Sequence, residues 1–311
     1  MANRGFIYRG ETRVLDHDVR SSIPGEFIEL ADGFVHYELG GSSGAQMVVL
    51  VPGFSIPLQV WDPTYHALID AGYRVLRYDL YGRGFSDRPD SRYDLDFFNR
   101  QLVGLLEALD ISAPIDLVGL SLGGAISVVF ADQHRGLIRK LALLDPAGLP
   151  WTQSMPARLS KAPIFGELLF GLIGSHRIVT KLADHFFSDR MYSELKDHAL
   201  RQMQFIGFKR ALLSTLRSGA ITGASQAFAS VGKLDFPVLL IWGKEDHVVP
   251  YKLSQKVLEL IPRAEFHAIE EAAHAPHFEN PDIVNPILID FLNRSSDNIS
   301  DGEPSRVQTK H

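Results

Sequence analysis

The sequence predicts an α/β fold with a mostly parallel, twisted sheet, helices on both faces of the sheet and a helical insertion. Apolar runs of strand length lack the polar alternation of a half-exposed sheet, which is typical of strands buried on both faces. These runs alternate with helical patterns, and that order implies right-handed crossovers between parallel strands. A long stretch of helical character then separates the fourth run from the last two.

Each element follows from a local pattern, starting with a β-hairpin. Residues 26–39 form two short strand-like runs joined at Asp32-Gly33, a dipeptide that accepts the positive φ of a tight turn. The apolar runs predict six further strands, at 47–51, 74–79, 115–118, 138–144, 237–242 and 264–268.

Helices are predicted between these runs. An amphipathic helix follows the second run, because apolar residues recur at three- and four-residue spacing at Leu95, Phe98, Leu102, Leu105, Leu106 and Leu109. A closing helix is predicted at about 281–292, with Pro281 in its first turn, where the missing N–H costs nothing.

These elements predict a domain organisation with one interrupted core. We expect an N-terminal extension at 1–25, an α/β core formed by 26–148 and 233–294, and a helical cap or lid at 149–232. The polar run after residue 294 lacks apolar periodicity, so 295–311 is predicted to be a disordered tail.

Composition narrows the function classes. A chain of 311 residues suits one α/β domain with an insertion. The net charge of -6 gives no reason to expect nucleic acid or an anionic membrane as a partner. Without cysteine there can be no disulfide, Cys nucleophile or thiolate metal site. Residues 1–25 lack the apolar region of a secretory signal, and the sequence contains no apolar stretch long enough to span a membrane, so we expect a cytoplasmic protein. The sequence does not predict the oligomeric state.

The strongest motif is Gly-Leu-Ser-Leu-Gly at 119–123, which lies between a predicted strand and a helical pattern. A serine in that context sits on a sharp, strained turn, and glycines two residues to either side allow neighbouring elements to approach closely. We therefore predict that Ser121 is a nucleophile.

A nucleophilic serine needs a base and an acid that orients the base. Asp246 follows the strand at 237–242 and is the predicted acid, with Asp145, at another strand end, as the alternative. His274 lies between the last strand and the last helix and is the predicted base. The nearest competitor is His277, which is otherwise a partly buried loop residue.

The oxyanion formed during acyl transfer needs two aimed donors, supplied here by backbone N–H groups. We assign one to Leu122. The other is assigned to Phe54, because its loop follows the strand at 47–51 and Gly53 permits an unusual backbone. The hydroxyl of Ser55 could contribute or could face solvent.

Together these segments, from Glu26 to Leu292, resemble the α/β-hydrolase superfamily, in particular serine esterases and lipases of the monoacylglycerol type. The segment 79–86 is similar to the family's D-x-x-G-x-G-x-S motif, which implies a structural role. One departure is Pro52-Gly53 where many relatives have His-Gly. A serine at 121 argues against haloalkane dehalogenases and epoxide hydrolases, which use aspartate there. Carbon–carbon bond hydrolases commonly have Asn where this chain has Leu120.

The leading hypothesis is hydrolysis of a small-molecule carboxylic ester with a hydrophobic part, through an acyl-enzyme and without a metal or cofactor. A carbon–carbon bond hydrolase of the dienoate type and a non-catalytic ligand-binding protein stay open as alternatives. The cap is expected to select the substrate. Its apolar and aromatic residues either form the core of the cap or line a channel above Ser121, and its glycines either permit motion of the lid or serve only close packing. These lie at 165–173, Phe186, Phe187, Phe205, Phe208, Gly166, Gly171 and Gly174.

Overall fold

The computed structural model describes residues 8–55, 58–152, 162, 166–168 and 189–294. Its strands are β1 Glu26–Leu30, β2 Gly33–Gly40, β3 Met47–Val51, β4 Arg74–Tyr78, β5 Ile115–Leu120, β6 Ile138–Leu144, β7 Val238–Gly243 and β8 Glu265–Ile269. They form one sheet in the order β1-β2-β4-β3-β5-β6-β7-β8.

The sheet is mostly parallel, as the sequence predicts. Strands β3 to β8 pair in parallel, while β1 pairs antiparallel with β2 and β2 antiparallel with β4. The predicted turn between β1 and β2 is shifted by one residue. Leu30 pairs with Gly33, so Ala31 and Asp32 make the turn, and Gly33 opens β2 with a φ of 132°.

The helices of the described ranges are α1 His17–Ser21, α2 Asp62–Asp70, α3 Leu95–Ala108, α4 Leu122–Gln133, α5 Asp189–Gln202, α6 Phe208–Ser218, α7 Ser225–Val231, α8 Leu253–Leu260, α9 Pro276–Glu279 and α10 Pro281–Asn293. The helices predicted near 95–109 and 281–292 are α3 and α10. No helix in these ranges is both long enough and apolar enough to span a membrane.

Two apolar layers cover the two faces of the sheet. Because successive strand side chains point to opposite faces, Val49 and Val51 join one layer while Val48 and Leu50 join the other. The first layer packs against α3, α4 and α8, and the second against α2 and α10. Helices on both faces, predicted from the unbroken apolar runs, are therefore confirmed.

The strand order places a crevice at the carboxyl edge of the sheet. The chain leaves β3 toward β4 on one side and then returns to β5 on the other side of β3. Loops that follow β3 and β5 therefore diverge at this switch point, which is where open α/β sheets bind ligands. The segments 52–55 and 121–124 both lie there.

Between β6 and β7, the described residues form α5, α6 and α7, joined by turns and irregular segments. Two of the aromatic residues predicted to supply cap surface, Phe205 and Phe208, are fully buried and pack as core. Gly166 is buried in a helical turn. The remaining predictions for 165, 169–173, Phe186, Phe187 and Gly174, and for the tail 295–311, fall outside the described residues.

Candidate active site

Ser121 joins β5 to α4 with a backbone that few residues adopt. Its φ is 54° and its ψ is -118°, a strained combination of the kind found at functional turns. The amide of Ser121 donates to the carbonyl of Leu144 at 3.0 Å, and its carbonyl accepts from Ala147 at 2.9 Å. The neighbouring strand β6 thus holds the turn in place.

The glycines on either side of Ser121 are required by close backbone contacts. A Cβ on Gly119 would lie 2.5 Å from the carbonyl oxygen of Gly123, and a Cβ on Gly123 would lie 2.1 Å from that of Val51. Real Cβ atoms do not approach backbone this closely. The G-x-S-x-G pattern therefore reflects the crossing of α4 over the ends of β3 and β5.

The structure brings Ser121, His274 and Asp246 together, as the sequence predicts. His274 Nε2 lies 2.8 Å from Ser121 Oγ, and His274 Nδ1 lies 2.7 Å from Asp246 Oδ2. All three side chains are buried. With Nδ1–H donating to the carboxylate, Nε2 carries a lone pair and faces the serine hydroxyl, which is the arrangement that proton removal from Ser121 requires.

Asp246 is fixed from its other side. Its Oδ1 accepts from the amides of Val248 at 2.8 Å and Val249 at 3.0 Å. These two amide donors and the His274 ring hold the carboxylate in a fixed orientation.

Glu279 fixes the loop that carries His274. Its carboxylate accepts from the amide of Ala273 at 3.1 Å and from that of Ala275 at 3.0 Å, so it binds the backbone on both sides of His274. No catalytic role is predicted for Glu279 from the sequence. The only available signal was a carboxylate in the short helix α9 after the histidine, a position that equally suits a solvated first turn.

Asp145, the alternative acid, ends β6 with a φ of 42° and is completely buried. Its Oδ1 accepts from the amide of Gly243 at 2.9 Å. Burial, and then the charge of nearby Asp246, raise the pKa of the Asp145 carboxyl well above its ordinary value. Asp246 is the carboxylate that contacts the His274 ring, whereas Asp145 lies next to Asp246 and its protonated form is favoured.

The two segments predicted to supply oxyanion donors flank Ser121. Leu122 is the first residue of α4, so its N–H has no acceptor within the helix. Gly53 lies against the serine, since a Cβ placed on it would be 3.5 Å from Ser121 Cβ. Its φ is not positive, so the expected unusual backbone is wrong and its role is close approach. Phe54 follows it in the same loop, and Ser55 is buried rather than solvent-facing.

His274, and not the competing histidine His277, places a ring nitrogen against Ser121 Oγ. His277 is fully buried within α9, not partly buried in a loop as expected, and its ring packs on that of Trp61 with centroids 4.3 Å apart. Burial, and then the charge of His274, lower the pKa of His277 to about 3. His277 is therefore a neutral core residue.

Metal-binding potential among the described residues is limited to the same cluster. One donor atom each from Asp145, Asp246 and His274 lie within 4.8 Å of one another. Both ring nitrogens of His274 already face Asp246 and Ser121, however, so we assign no metal ligand among them.

Comparisons with known proteins show the fold family of the chain. A family model described as alpha/beta hydrolase fold matches residues 46–281. The 2-hydroxymuconate semialdehyde hydrolase of Pseudomonas sp. (strain CF600) is 30% identical over 227 residues, which cover 70% of this chain and 76% of that protein.

Solved structures are similar over most of the chain. The meta-cleavage product hydrolase CumD of Pseudomonas fluorescens IP01 superposes with a TM-score of 0.72 at 25% identity, covering 86% of this chain and 97% of its own. An esterase of Thermogutta terrifontis superposes with a TM-score of 0.73 at 22% identity, covering 86% and 98% respectively.

Proposed function

The chain belongs to the α/β-hydrolase fold family, and we propose that it is a serine hydrolase whose nucleophile is Ser121. Its family makes it a hydrolase, and the serine chemistry is our proposal. The observation that carries the proposal is the unbroken line of contacts from Ser121 Oγ through the His274 ring to Asp246, at 2.8 and 2.7 Å.

We propose that the reaction is carboxylic ester hydrolysis in two steps. The Ser121 hydroxyl passes its proton to His274 Nε2 as Oγ attacks the ester carbonyl, and Asp246 stabilises the imidazolium. The N–H groups of Phe54 and Leu122 stabilise the oxyanion. His274 then protonates the departing alcohol. Water, deprotonated by His274, releases the acid from the acyl-enzyme and restores the serine.

We further propose that residues 149–232 form a cap that selects a substrate with a hydrophobic part. In support, the Phe54 ring in the loop beside Ser121 packs against an apolar cluster from α5, α6 and their connection, formed by Ala199, Met203, Phe208 and Leu212. An apolar acyl or alcohol group entering next to Phe54 would meet this surface.

A fluorophosphonate probe tests the nucleophile. Wild-type protein is expected to become labelled at Ser121, and the Ser121→Ala variant is expected to lose the label. Undiminished labelling of Ser121→Ala would contradict the assignment. Turnover of p-nitrophenyl esters of increasing chain length then measures the size of the hydrophobic part.

A second candidate is hydrolysis of a carbon–carbon bond in a dienoate-type ketone. It is favoured by the 30% identical relative, which is named as a 2-hydroxymuconate semialdehyde hydrolase. Parallel assays with the ester panel and with a 2-hydroxy-6-oxo-dienoate separate the two, because only one class should be turned over rapidly. Binding of such compounds without turnover of either class would instead support a ligand-binding protein.

A further inference from the structure

Arg83 is a buried cation without an acidic partner in the described part of the chain. Its side chain is 2% exposed, and no Asp or Glu pairs with it there. The guanidinium lies over the ring of Phe54, 5.2 Å from its centroid, and over that of Tyr93 at 5.8 Å. A buried charge is costly unless it is well hydrogen-bonded. The hydrogen-bond partners of Arg83 therefore indicate the role of this buried guanidinium.

These hydrogen bonds connect the proposed oxyanion loop to α6. Arg83 Nε donates to the carbonyl of Phe54 at 2.8 Å, and Nη2 donates to the hydroxyl of Thr215 at 2.8 Å. The Thr215 hydroxyl donates to the carbonyl of Ala211 at 2.9 Å, which leaves it an acceptor for the guanidinium. One rigid, planar group thus spans the loop after β3 and a helix of the segment between β6 and β7.

Gln202 makes a parallel connection from α5. Its Nε2 donates to the carbonyl of Ser55 at 3.0 Å, and its Oε1 accepts from the amide of Gly84 at 2.7 Å. Gln202 is 1% exposed and is the last residue of α5. Two consecutive carbonyls of the loop are therefore held by buried side chains. Arg83, which binds α6, holds the carbonyl of Phe54, and Gln202, which belongs to α5, holds that of Ser55.

We propose that Arg83 and Gln202 are positioning residues that couple the placement of α5 and α6 to the backbone of the loop 52–55, and hence to the aim of the Phe54 N–H. This coupling rests on the proposed serine hydrolase function. A displacement of either helix would move a carbonyl of the loop through one connecting side chain. The Phe54 N–H, the second oxyanion donor, is therefore correctly oriented only while α5 and α6 both keep their positions. Catalytic competence thereby depends on the placement of α5 and α6 against the loop.

Amide hydrogen exchange tests the coupling without any substrate. Thr215→Val removes only the hydroxyl that Arg83 reaches on α6. Gln202→Glu keeps the acceptor for Gly84 and loses the donor to Ser55. In both variants, a peptide covering 52–55 is expected to exchange at least about 10-fold faster than in wild type, because local opening becomes easier.

The matched control is Ser214→Ala. It removes a neighbouring hydroxyl of α6 that accepts from the Tyr93 amide at 3.1 Å and contacts the 91–93 segment instead of the loop. Its 52–55 peptide is expected to exchange as in wild type. Unchanged exchange of that peptide in both Thr215→Val and Gln202→Glu would overturn the coupling.

Kinetics test whether the coupling positions a catalytic donor. Arg83→Met is expected to lower kcat for ester hydrolysis by about 10²-fold with little change in KM, because a misplaced oxyanion donor is lost in the transition state only. Fluorophosphonate titration counts the folded sites, so a purely structural role would leave kcat per site unchanged and overturn the positioning role. Wild-type protein that neither labels nor hydrolyses esters would instead refute the proposed function, while the exchange experiment still decides the coupling.

Discussion

A carboxylate oxygen of Asp145 and one of Asp246 lie within 4.8 Å of each other at the ends of the neighbouring strands β6 and β7. Both residues are buried, and two carboxylates so close in a low-dielectric site cannot both be ionised at little cost. Asp246 has amide donors and the His274 ring around it, whereas Asp145 has one amide. Burial, and then the charge of Asp246, raise the pKa of Asp145, so the protonated form of Asp145 is favoured.

The contact of Asp246 with His274 and the raised pKa of Asp145 predict unequal effects of two matched substitutions. Asp246→Asn is expected to lower kcat by about 10⁴-fold, because the carboxylate that orients His274 is lost. Asp145→Asn is expected to stay within about 10-fold of wild type, because the raised pKa of Asp145 favours its neutral form, which an amide resembles, and the amide oxygen still accepts from Gly243. Ester hydrolysis by both purified variants gives the comparison. Loss of activity in Asp145→Asn alone would make Asp145 the orienting acid.

The sheet and the positions of Ser121, Asp246 and His274 could be predicted because each has a local signal. Apolar runs mark the strands, and chemistry-bearing residues follow the strand ends, where a parallel sheet collects them at one edge. The order of the strands has no such signal. It depends on which runs pair, and many pairings bury the same residues.

The supports of the site could not be predicted for the same reason. Arg83 with Thr215, and Gln202 with Ser55, are contacts between residues far apart in sequence and in different elements. A single arginine between two glycines is typical of any exposed loop. Only the folded chain shows that this guanidinium is enclosed.

Gly123 is predicted to tolerate no side chain. Gly123→Ala would place a Cβ 2.1 Å from the carbonyl oxygen of Val51 and 2.7 Å from that of Pro52. Because both are backbone atoms, relieving the overlap requires a shift of the main chain, which is costly in free energy. We expect at least about 2 kcal/mol of lost stability from overpacking, and loss of fluorophosphonate labelling as the loop after β3 is displaced. Urea unfolding measures the first effect.

Gly136→Ala is the matched control for this change, because a Cβ there meets nothing within 4 Å. It is expected to be neutral or to stabilise the protein by about 0.4–1 kcal/mol, since alanine restricts the unfolded chain. Equal stabilities of the two variants would show that α4 does not cross the strands as closely as described.

Lys140 is predicted to stabilise the end of α10. Its buried ammonium donates to the carbonyls of Phe291 at 2.6 Å and Leu292 at 2.9 Å, and also to that of Arg294. Lys140→Met would remove this donor from all three carbonyls, although the carbonyl of Leu292 still accepts from Arg139 Nη2 at 3.1 Å, and we expect a loss of about 2–4 kcal/mol in stability. Lys256→Met, at an exposed position of α8, should change stability by less than about 0.5 kcal/mol. Similar unfolding midpoints for both variants would refute the capping role.

His36 is predicted to make stability depend on pH. Its Nδ1 lies 2.8 Å from Asp79 Oδ2 and its Nε2 lies 2.8 Å from the carbonyl of Pro24, so both ring nitrogens face acceptors, which favours the imidazolium form. Burial opposes this charge, but the hydrogen bond and charge of Asp79 outweigh it, and the pKa of His36 is raised above its ordinary value of 6.5.

A raised folded pKa means that the stabilisation from His36 is fully present below pH 6.5 and is lost as the pH rises through the folded value. The difference in unfolding free energy between wild type and His36→Gln should therefore shrink between about pH 6 and about pH 9. Urea unfolding at both pH values measures it, with His66→Gln, at an exposed position of α2, as the control that should follow wild type. A difference that is constant or grows with pH would mean that His36 is neutral, with Asp79 acting only as an acceptor for one ring N–H.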